Sequence, residues 1–238
     1  MNKRKAAVNQ KAPAGAPVPK TSAPARKRIM LVDDHPMMRA GLAQFINKQP
    51  DMETCCEFGT AAEAFEGLCE YNPDLVLTDI TMPGKNGIEL VKDLLMASPA
   101  LPILVISMHD ETVYAERVLR AGARGYITKQ EATTKVLVAI RKILSGEVYL
   151  SEHMVGRLLN RCTHGPPFGG SPLECLADRE LEVFHMIGRG MATRQIAEEL
   201  HIGVKTVESY RARIKEKLNL DSGAELVRHA IQWVNGMG

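Results

Sequence analysis

No apolar run in the chain approaches the roughly 18 residues that a membrane-spanning helix needs. A spanning helix is therefore not expected. The N-terminus is basic, but no apolar segment follows it, so a secretory leader is not expected either. No Cys-x-x-Cys pair occurs among the five cysteines, Cys55, Cys56, Cys69, Cys162 and Cys175. An odd set of thiols without an export signal reads as reduced side chains of a cytoplasmic protein. Acids are missing from Met1–Arg28, which carries eight basic residues: Lys3, Arg4, Lys5, Lys11, Lys20, Arg26, Lys27 and Arg28. The whole chain is +2, so the remainder is 2 − 8 = −6.

Large apolar groups are scarce over residues 1–26, where Ala, Pro and Lys dominate. Such a segment cannot bury enough surface to offset its ordering entropy, and a disordered tail is expected. Its charge suits either a solubilising extension or weak attraction to phosphates.

The 238 residues are enough for one large or two modest domains, and 45% hydrophobic content supplies real cores. Strand and helix patterns alternate from Arg28 to Gly146. The strand stretches are Arg28–Val32, Met52–Phe58, Leu75–Thr78, Leu101–Ser107 and Gly125–Thr128. Helical spacing occupies Met37–Lys48 after Pro36, Ala61–Tyr71, Ile88–Ala97, Glu111–Ala121 and Glu131–Leu144. Thr60 and Glu63 have capping-box spacing ahead of the second helix. Near-continuous apolar strands separated by helices mean a parallel sheet covered on both faces. The size suits an α/β flavodoxin-like, doubly wound sheet with strand order 2-1-3-4-5.

That order places Asp33, Asp34 and Asp79 at one edge of the sheet, with Ser107 and Lys129 reaching in from the fourth and fifth strands. Taken singly, each acid also suits a helix cap, and Lys129 also suits a surface position. Together they describe a chemistry. Clustered carboxylates repel unless a cation lies among them, and a hard, oxygen-ligated ion such as Mg²⁺ fits. A carboxylate nucleophile, a hydroxyl and a lysine beside that ion describe phosphoryl transfer to Asp79.

Residues 28–146 resemble a response-regulator receiver domain. The resemblance is carried by VDDHP (Val32–Pro36), TDITMPGKNG (Thr78–Gly87), ISMHD (Ile106–Asp110) and GYITK (Gly125–Lys129). It implies that Asp79 is the phospho-acceptor and that Asp33, Asp34, Asp79 and the Thr81 backbone carbonyl hold Mg²⁺. It implies that Ser107 and Lys129 bind phosphoryl oxygens and that Tyr126 is the aromatic switch. A phosphoryl group on Asp79 would draw Ser107 toward it, and Tyr126 would rotate inward into the vacated space. The phosphoryl donor in the family is a histidine kinase, and the receiver is not an enzyme acting on external substrates.

After Gly146 the pattern weakens. Ser151–Leu159 reads as one linker helix, and Thr163–Pro172 reads as a Gly/Pro-rich hinge. His153 and His164 read as loop or surface residues. From Asp178 the period is helical: Asp178–Ile187, Thr193–Leu200, Val204–Leu218 and Ser222–Val234. The short His201-Ile202-Gly203 turn between the second and third of these gives a small all-α helix-turn-helix domain. Lys205, Arg211, Arg213, Lys215 and Lys217 against Glu208 and Glu216 put 5 − 2 = +3 on the third helix. That helix is the one expected in a DNA major groove.

Residues 173–238 resemble the LuxR-type DNA-binding domain through DRELEVFHMIGRG (Asp178–Gly190), TRQIAEELHIGVKTVESYRARIKEKLNL (Thr193–Leu220) and AELVRHAI (Ala224–Ile231). Two departures are visible. Ala177 stands where the family usually has a Thr cap, so Asp178 is the alternative cap. Tyr210 stands where His is frequent. The resemblance implies Lys205, Thr206, Glu208, Ser209 and Arg213 as DNA-facing residues.

The whole chain therefore resembles a NarL/FixJ-type two-component response regulator. The expected organisation is a basic tail at 1–26, a receiver at 27–146, a linker at 147–172 and the DNA-binding domain at 173–238. The expected function is transcription regulation controlled by phosphorylation, with binding to double-stranded DNA as a homodimer. Two other readings fit the residues less well. A phosphatase working through an aspartyl phosphate typically has a second Asp two residues past the nucleophile, where this chain has Thr81. A phosphate sink with a decayed DNA-binding domain sits poorly with the intact basic third helix.

Overall fold

The computed structural model describes residues 26–164 and 172–236. The tail expected at 1–26 falls outside them except for Arg26. The first half alternates strand and helix: β1 (Lys27–Val32), α1 (Pro36–Asn47), β2 (Met52–Phe58), α2 (Ala61–Tyr71), β3 (Leu75–Thr78), α3 (Gly87–Ala97), β4 (Ile103–Ser107), α4 (Glu111–Arg120), β5 (Gly125–Thr128) and α5 (Lys129–Leu144). All four strand pairings are parallel, and the order is β2-β1-β3-β4-β5.

Alternation along the strands divides the core. Met30, Val32, Val76, Ile103 and Val105 point to one face, where α2, α3 and α4 cover them. Ile29, Leu31, Leu75, Leu77, Leu104 and Ile106 point to the other, under α1 and α5. Side chains buried this completely contribute about 1.5–3 kcal/mol each, which is why the central strands tolerate no polar residue until their carboxyl ends.

Local chemistry sets the helix starts. Pro36 occupies the first turn of α1, where its missing N–H costs nothing. Thr60 Oγ1 accepts from Glu63 N–H at 3.3 Å, as its spacing predicts. The return bond differs, since Glu63 Oε2 accepts from Gly59 N–H at 3.3 Å. Asn86 and Glu89 form a full capping box on α3, a pair the sequence reading passed over.

Beyond β5 the chain continues as α6 (Glu152–His164), a 3₁₀ turn (Pro172–Cys175), α7 (Asp178–Gly188), α8 (Thr193–Glu199), α9 (Val204–Leu218) and α10 (Gly223–Asn235). The expected linker helix is present and longer than its apolar period suggested. Ser151 Oγ accepts from Met154 N–H at 3.1 Å and opens it. The helix runs into Thr163 and His164, which had been assigned to the hinge; the middle of that hinge, 165–171, lies outside the described residues. Ala177, not Asp178, occupies the N-cap position of α7. Glu180 Oε2 accepts from Ala177 N–H at 2.8 Å, and this frees Asp178 for other partners.

In this second half, Leu181, Val183, Phe184, Ile187, Ile196, Ala197, Leu200, Val207, Ile214, Leu226 and Ala230 are buried. They belong to the same apolar cluster as the α2–α3–α4 face of the sheet. The helical domain therefore sits on that side of the receiver-like domain.

Candidate functional site

Asp33 and Asp34 follow β1, and Asp79 follows β3, its neighbour in the sheet. The carboxyl ends of adjacent parallel strands bring the three acids together. Asp33, Asp34, His35 and Asp79 each offer one ligand atom, and these atoms lie within 4.8 Å of one another. Asp33 and Asp79 are each 3% exposed.

Lys129, the first residue of α5, bridges the two buried acids. Its Nζ lies 2.8 Å from Asp33 Oδ2 and 2.6 Å from Asp79 Oδ2. Backbone donors orient the rest: Ile80 N–H gives to Asp79 Oδ1 at 2.6 Å, and His35 N–H gives to Asp33 Oδ1 at 2.8 Å. Burial pushes the Asp79 carboxyl up to about 7; Lys129 pulls it back and Asp33 adds to the rise. Burial pulls the Lys129 ammonium down, but Asp79 and Asp33 outweigh it and hold it above its usual value. Three carboxylates face one ammonium, so the ionised cluster is 3 − 1 = 2 positive charges short of neutrality.

Gly87 shapes the same corner. A Cβ there would stand 1.8 Å from the Asp79 carbonyl oxygen. Only glycine lets the start of α3 approach the acceptor strand this closely, with Gly87 N–H giving to Ile80 O at 2.8 Å.

Ser107 ends β4 and is fully buried, its Oγ accepting from His109 N–H at 3.2 Å. Thr81 stands two residues past Asp79, with its hydroxyl 2.9 Å from His109 Nε2. Tyr126 differs from expectation. It is already inward, 1% exposed, with its hydroxyl giving to His109 O at 2.7 Å. Inward rotation is thus complete in this conformer, because the phenol finds a buried carbonyl acceptor.

The sequence reading missed four residues around this corner. His35 joins the acids, with Nδ1 2.7 Å from Asp34 Oδ1. His109 is buried, stacked on Tyr114 at 4.4 Å and edge-on to His185 at 5.3 Å. Burial, with His185, Arg189 and Lys129 nearby, lowers it to about 3, so it is a neutral imidazole. Arg179 and Glu182 of α7 form a buried pair at 2.6 Å. Arg179 Nη2 gives to Met82 O at 3.1 Å and also to Gly84 O. Burial raises the Glu182 carboxyl, with Arg179 and Thr81 opposing. In the sequence these two look like ordinary charges on a solvated helix.

Asp178 completes this contact. Its carboxylate meets Lys92 Nζ at 2.9 Å and Arg117 Nη1 at 3.3 Å. Arg117 also gives to Leu176 O at 2.8 Å and Leu173 O at 2.7 Å.

On α9, Lys205, Thr206, Glu208, Ser209 and Arg213 are all exposed. Lys217, counted in the positive charge of that helix, instead turns to Glu180 Oε2 at 2.7 Å. His201 takes a positive φ of 52° in the turn before α9.

The family model described as response regulator receiver domain matches residues 29–141. The model described as bacterial regulatory proteins, luxR family, matches residues 174–230. The oxygen regulatory protein NreC of Staphylococcus aureus (strain bovine RF122 / ET3-1) is 35% identical over 210 residues, covering 86% of this chain and 97% of that protein. A solved two-component response regulator of the LuxR family from Aurantimonas sp. SI85-9A1 is 34% identical with a TM-score of 0.55, covering 58% of this chain and 99% of its own. RcsB from Salmonella enterica serovar Typhimurium, solved bound to promoter rprA with the phosphomimetic BeF3-, shares the fold at 24% identity and a TM-score of 0.59, covering 87% and 99%.

Proposed function

The chain belongs to the NarL/FixJ-type response regulators, which join a receiver domain to a LuxR-type DNA-binding domain, and from that premise we propose that Asp79 is its phospho-acceptor. The observation that carries the proposal is the Asp79 carboxylate held between Lys129 and Ile80 N–H at the mouth of the sheet. A histidine kinase supplies the phosphoryl group. In the step, an Asp79 Oδ forms a bond to phosphorus while the bond from phosphorus to the donor's leaving group breaks. The electron pair leaves with the donor. No external substrate is turned over.

The acidic cluster suits a divalent cation. Asp34 Oδ1 is buried without a well-aligned hydrogen bond in the protein, and the donor set is dominated by carboxylate oxygens. Asp33, Asp34, Asp79 and the Thr81 carbonyl would hold Mg²⁺, which when bound neutralises phosphoryl charge. Lys129 neutralises the remaining oxygens, and Ser107 donates to one of them. Lys129 exchanges its bond to Asp79 for one to the phosphoryl group without leaving the corner.

In the second domain, Lys205, Thr206, Glu208, Ser209 and Arg213 face DNA, with α9 in the major groove. Phosphorylation pairs two chains so that two such helices meet two half-sites. The receiver occupies 27–146, the linker 147–172 and the DNA-binding domain 173–238, behind a basic tail at 1–26. The protein works in the cytoplasm, where its kinase and its DNA lie; among the described residues no helix is long and apolar enough to cross a membrane.

The test is incubation with acetyl phosphate and Mg²⁺, read by intact mass and peptide mapping. One phosphoryl adduct on Asp79, absent from Asp79→Asn, is the expected result. An adduct retained by the Asn variant overturns the assignment.

A further inference from the structure

The pairing of β1 with β2 slips by one residue at a pair of cysteines. Ile29 pairs with Thr54 and Met30 with Cys56, which leaves Cys55 as the extra residue of a β-bulge. Successive side chains of a regular strand point to opposite faces. Here the bulge breaks that alternation, and Cys55 and Cys56 pack against the same apolar cluster. Their Sγ atoms lie 3.5 Å apart. Both thiols are free and only partly buried, and β2 is an edge strand, so small molecules can reach them.

We propose that Cys55 and Cys56 are a chelating two-thiol site for trivalent arsenic. The proposal is independent of the reading of Asp79. With an organic arsenic(III) oxide, two S–H bonds and the arsenic–oxygen bond break, and two arsenic–sulfur bonds form. The oxygen leaves as one water that carries both thiol protons. Arsenic stays trivalent, so no oxidant or reductant is needed.

The sulfur spacing selects this chemistry. With sulfur-to-centre bonds of about 2.3 Å, the length thiolates make to zinc, two sulfurs 3.5 Å apart subtend about 100°. Trivalent arsenic, with three bonds and a lone pair, holds its bonds not far beyond a right angle. A linear two-thiolate ion such as Cu(I) would need the sulfurs about 4.6 Å apart by the same bond length. Tetrahedral zinc would need further ligands, and among the described residues no third Cys, His, Asp or Glu ligand atom closes on the pair. The third bond of arsenic is left for its own hydroxyl or organic group. Phe58, two residues past Cys56 and on the same cluster, offers that group an apolar neighbour, edge-on to Tyr71 at 5.9 Å.

Two competing fates of the pair are disfavoured. Adjacent Cα atoms are about 3.8 Å apart, short of the roughly 4.4–6.8 Å that a disulfide usually spans, so a bond between these sulfurs would be strained and easily reduced. Burial, together with the Cys55 thiol, pushes the Cys56 thiol up to about 12. Cys56 is therefore protonated at neutral pH and reacts slowly with peroxides and alkylating agents, which need the thiolate. A centre that takes both sulfurs at once gains from the second bond, which forms within one molecule at a high effective concentration.

The experiment titrates the reduced full chain with phenylarsine oxide in excess glutathione, read by native mass, peptide mapping and melting temperature. One phenylarsenic per chain, with loss of one water and both bonds mapped to Cys55 and Cys56, is the expected result. Cys55→Ser and Cys56→Ser are each expected to bind about 10²-fold more weakly or worse, because a single thiol competes poorly with glutathione. Cys69→Ser is expected to bind as the wild type does. The probe should raise the wild-type melting temperature, since the bulge holds the two sulfurs together in the folded state. No adduct in glutathione, an adduct mapped to another cysteine, wild-type affinity in either pair variant, or a lowered melting temperature overturns the site. The mapping and melting results come from the wild-type chain alone and stand whether or not a variant folds.

Discussion

At the residue scale, the governing fact is a carboxylate buried beside another carboxylate with one lysine between them. Asp79 has its pKa raised by burial to about 7, against about 3.9 for an unfolded Asp. A raised carboxylate pKa means that the folded state holds the proton more tightly. The associated stability is complete below about pH 4 and is lost as pH rises toward 7. Asp79→Asn removes this dependence while preserving shape. Its melting temperature is therefore expected to exceed that of the wild type by more at pH 8 than at pH 5. Mg²⁺ favours the ionised cluster and should raise the wild-type melting temperature more at pH 8 than at pH 5, with little effect on the variant. A melting-temperature gap that shrinks between pH 5 and pH 8 would contradict the charge assignment. Gly87 belongs at this scale too. Any side chain there meets the Asp79 carbonyl, so Gly87→Ala should cost at least about 1–3 kcal/mol in denaturant unfolding. A neutral result would mean that the start of α3 moves away freely.

At the element scale, what the sequence discloses depends on what buries each face. The strands were legible because both faces meet apolar helices, which leaves runs such as Leu75–Leu77 and Ile103–Ile106. The acids, Ser107 and Lys129 were legible because each stands just past a strand. The helix-turn-helix was legible from its single apolar stripe. The second face of α7 was not. It is polar, and Arg179, Glu182 and His185 are covered only because the other domain lies against them. The Ala177 cap escaped for a similar reason: the bond that settles it comes from Glu180, not from the periodicity. The same distinction separates the cations of α9. Both Arg213 and Lys217 are exposed, but Lys217 is tied to Glu180 at 2.7 Å. Arg213→Ala should lower the slope of log affinity against log salt by about one, and Lys217→Ala should leave it nearly unchanged. Equal slopes for the two variants in fluorescence anisotropy titrations would refute that division of labour.

At the scale of the whole molecule, the two domains share one apolar cluster, and polar bonds through Arg117, Asp178, Lys92 and Arg179 hold their boundary. The account makes Asp79 the control and α9 the output. The measurement that tests it most directly is the full chain's affinity for a duplex selected from a random pool, together with its mass by light scattering, with and without acetyl phosphate and Mg²⁺. The account predicts tighter binding and a shift from monomer to dimer on phosphorylation, both lost in Asp79→Asn. Equal affinity and equal mass in the two states would contradict it.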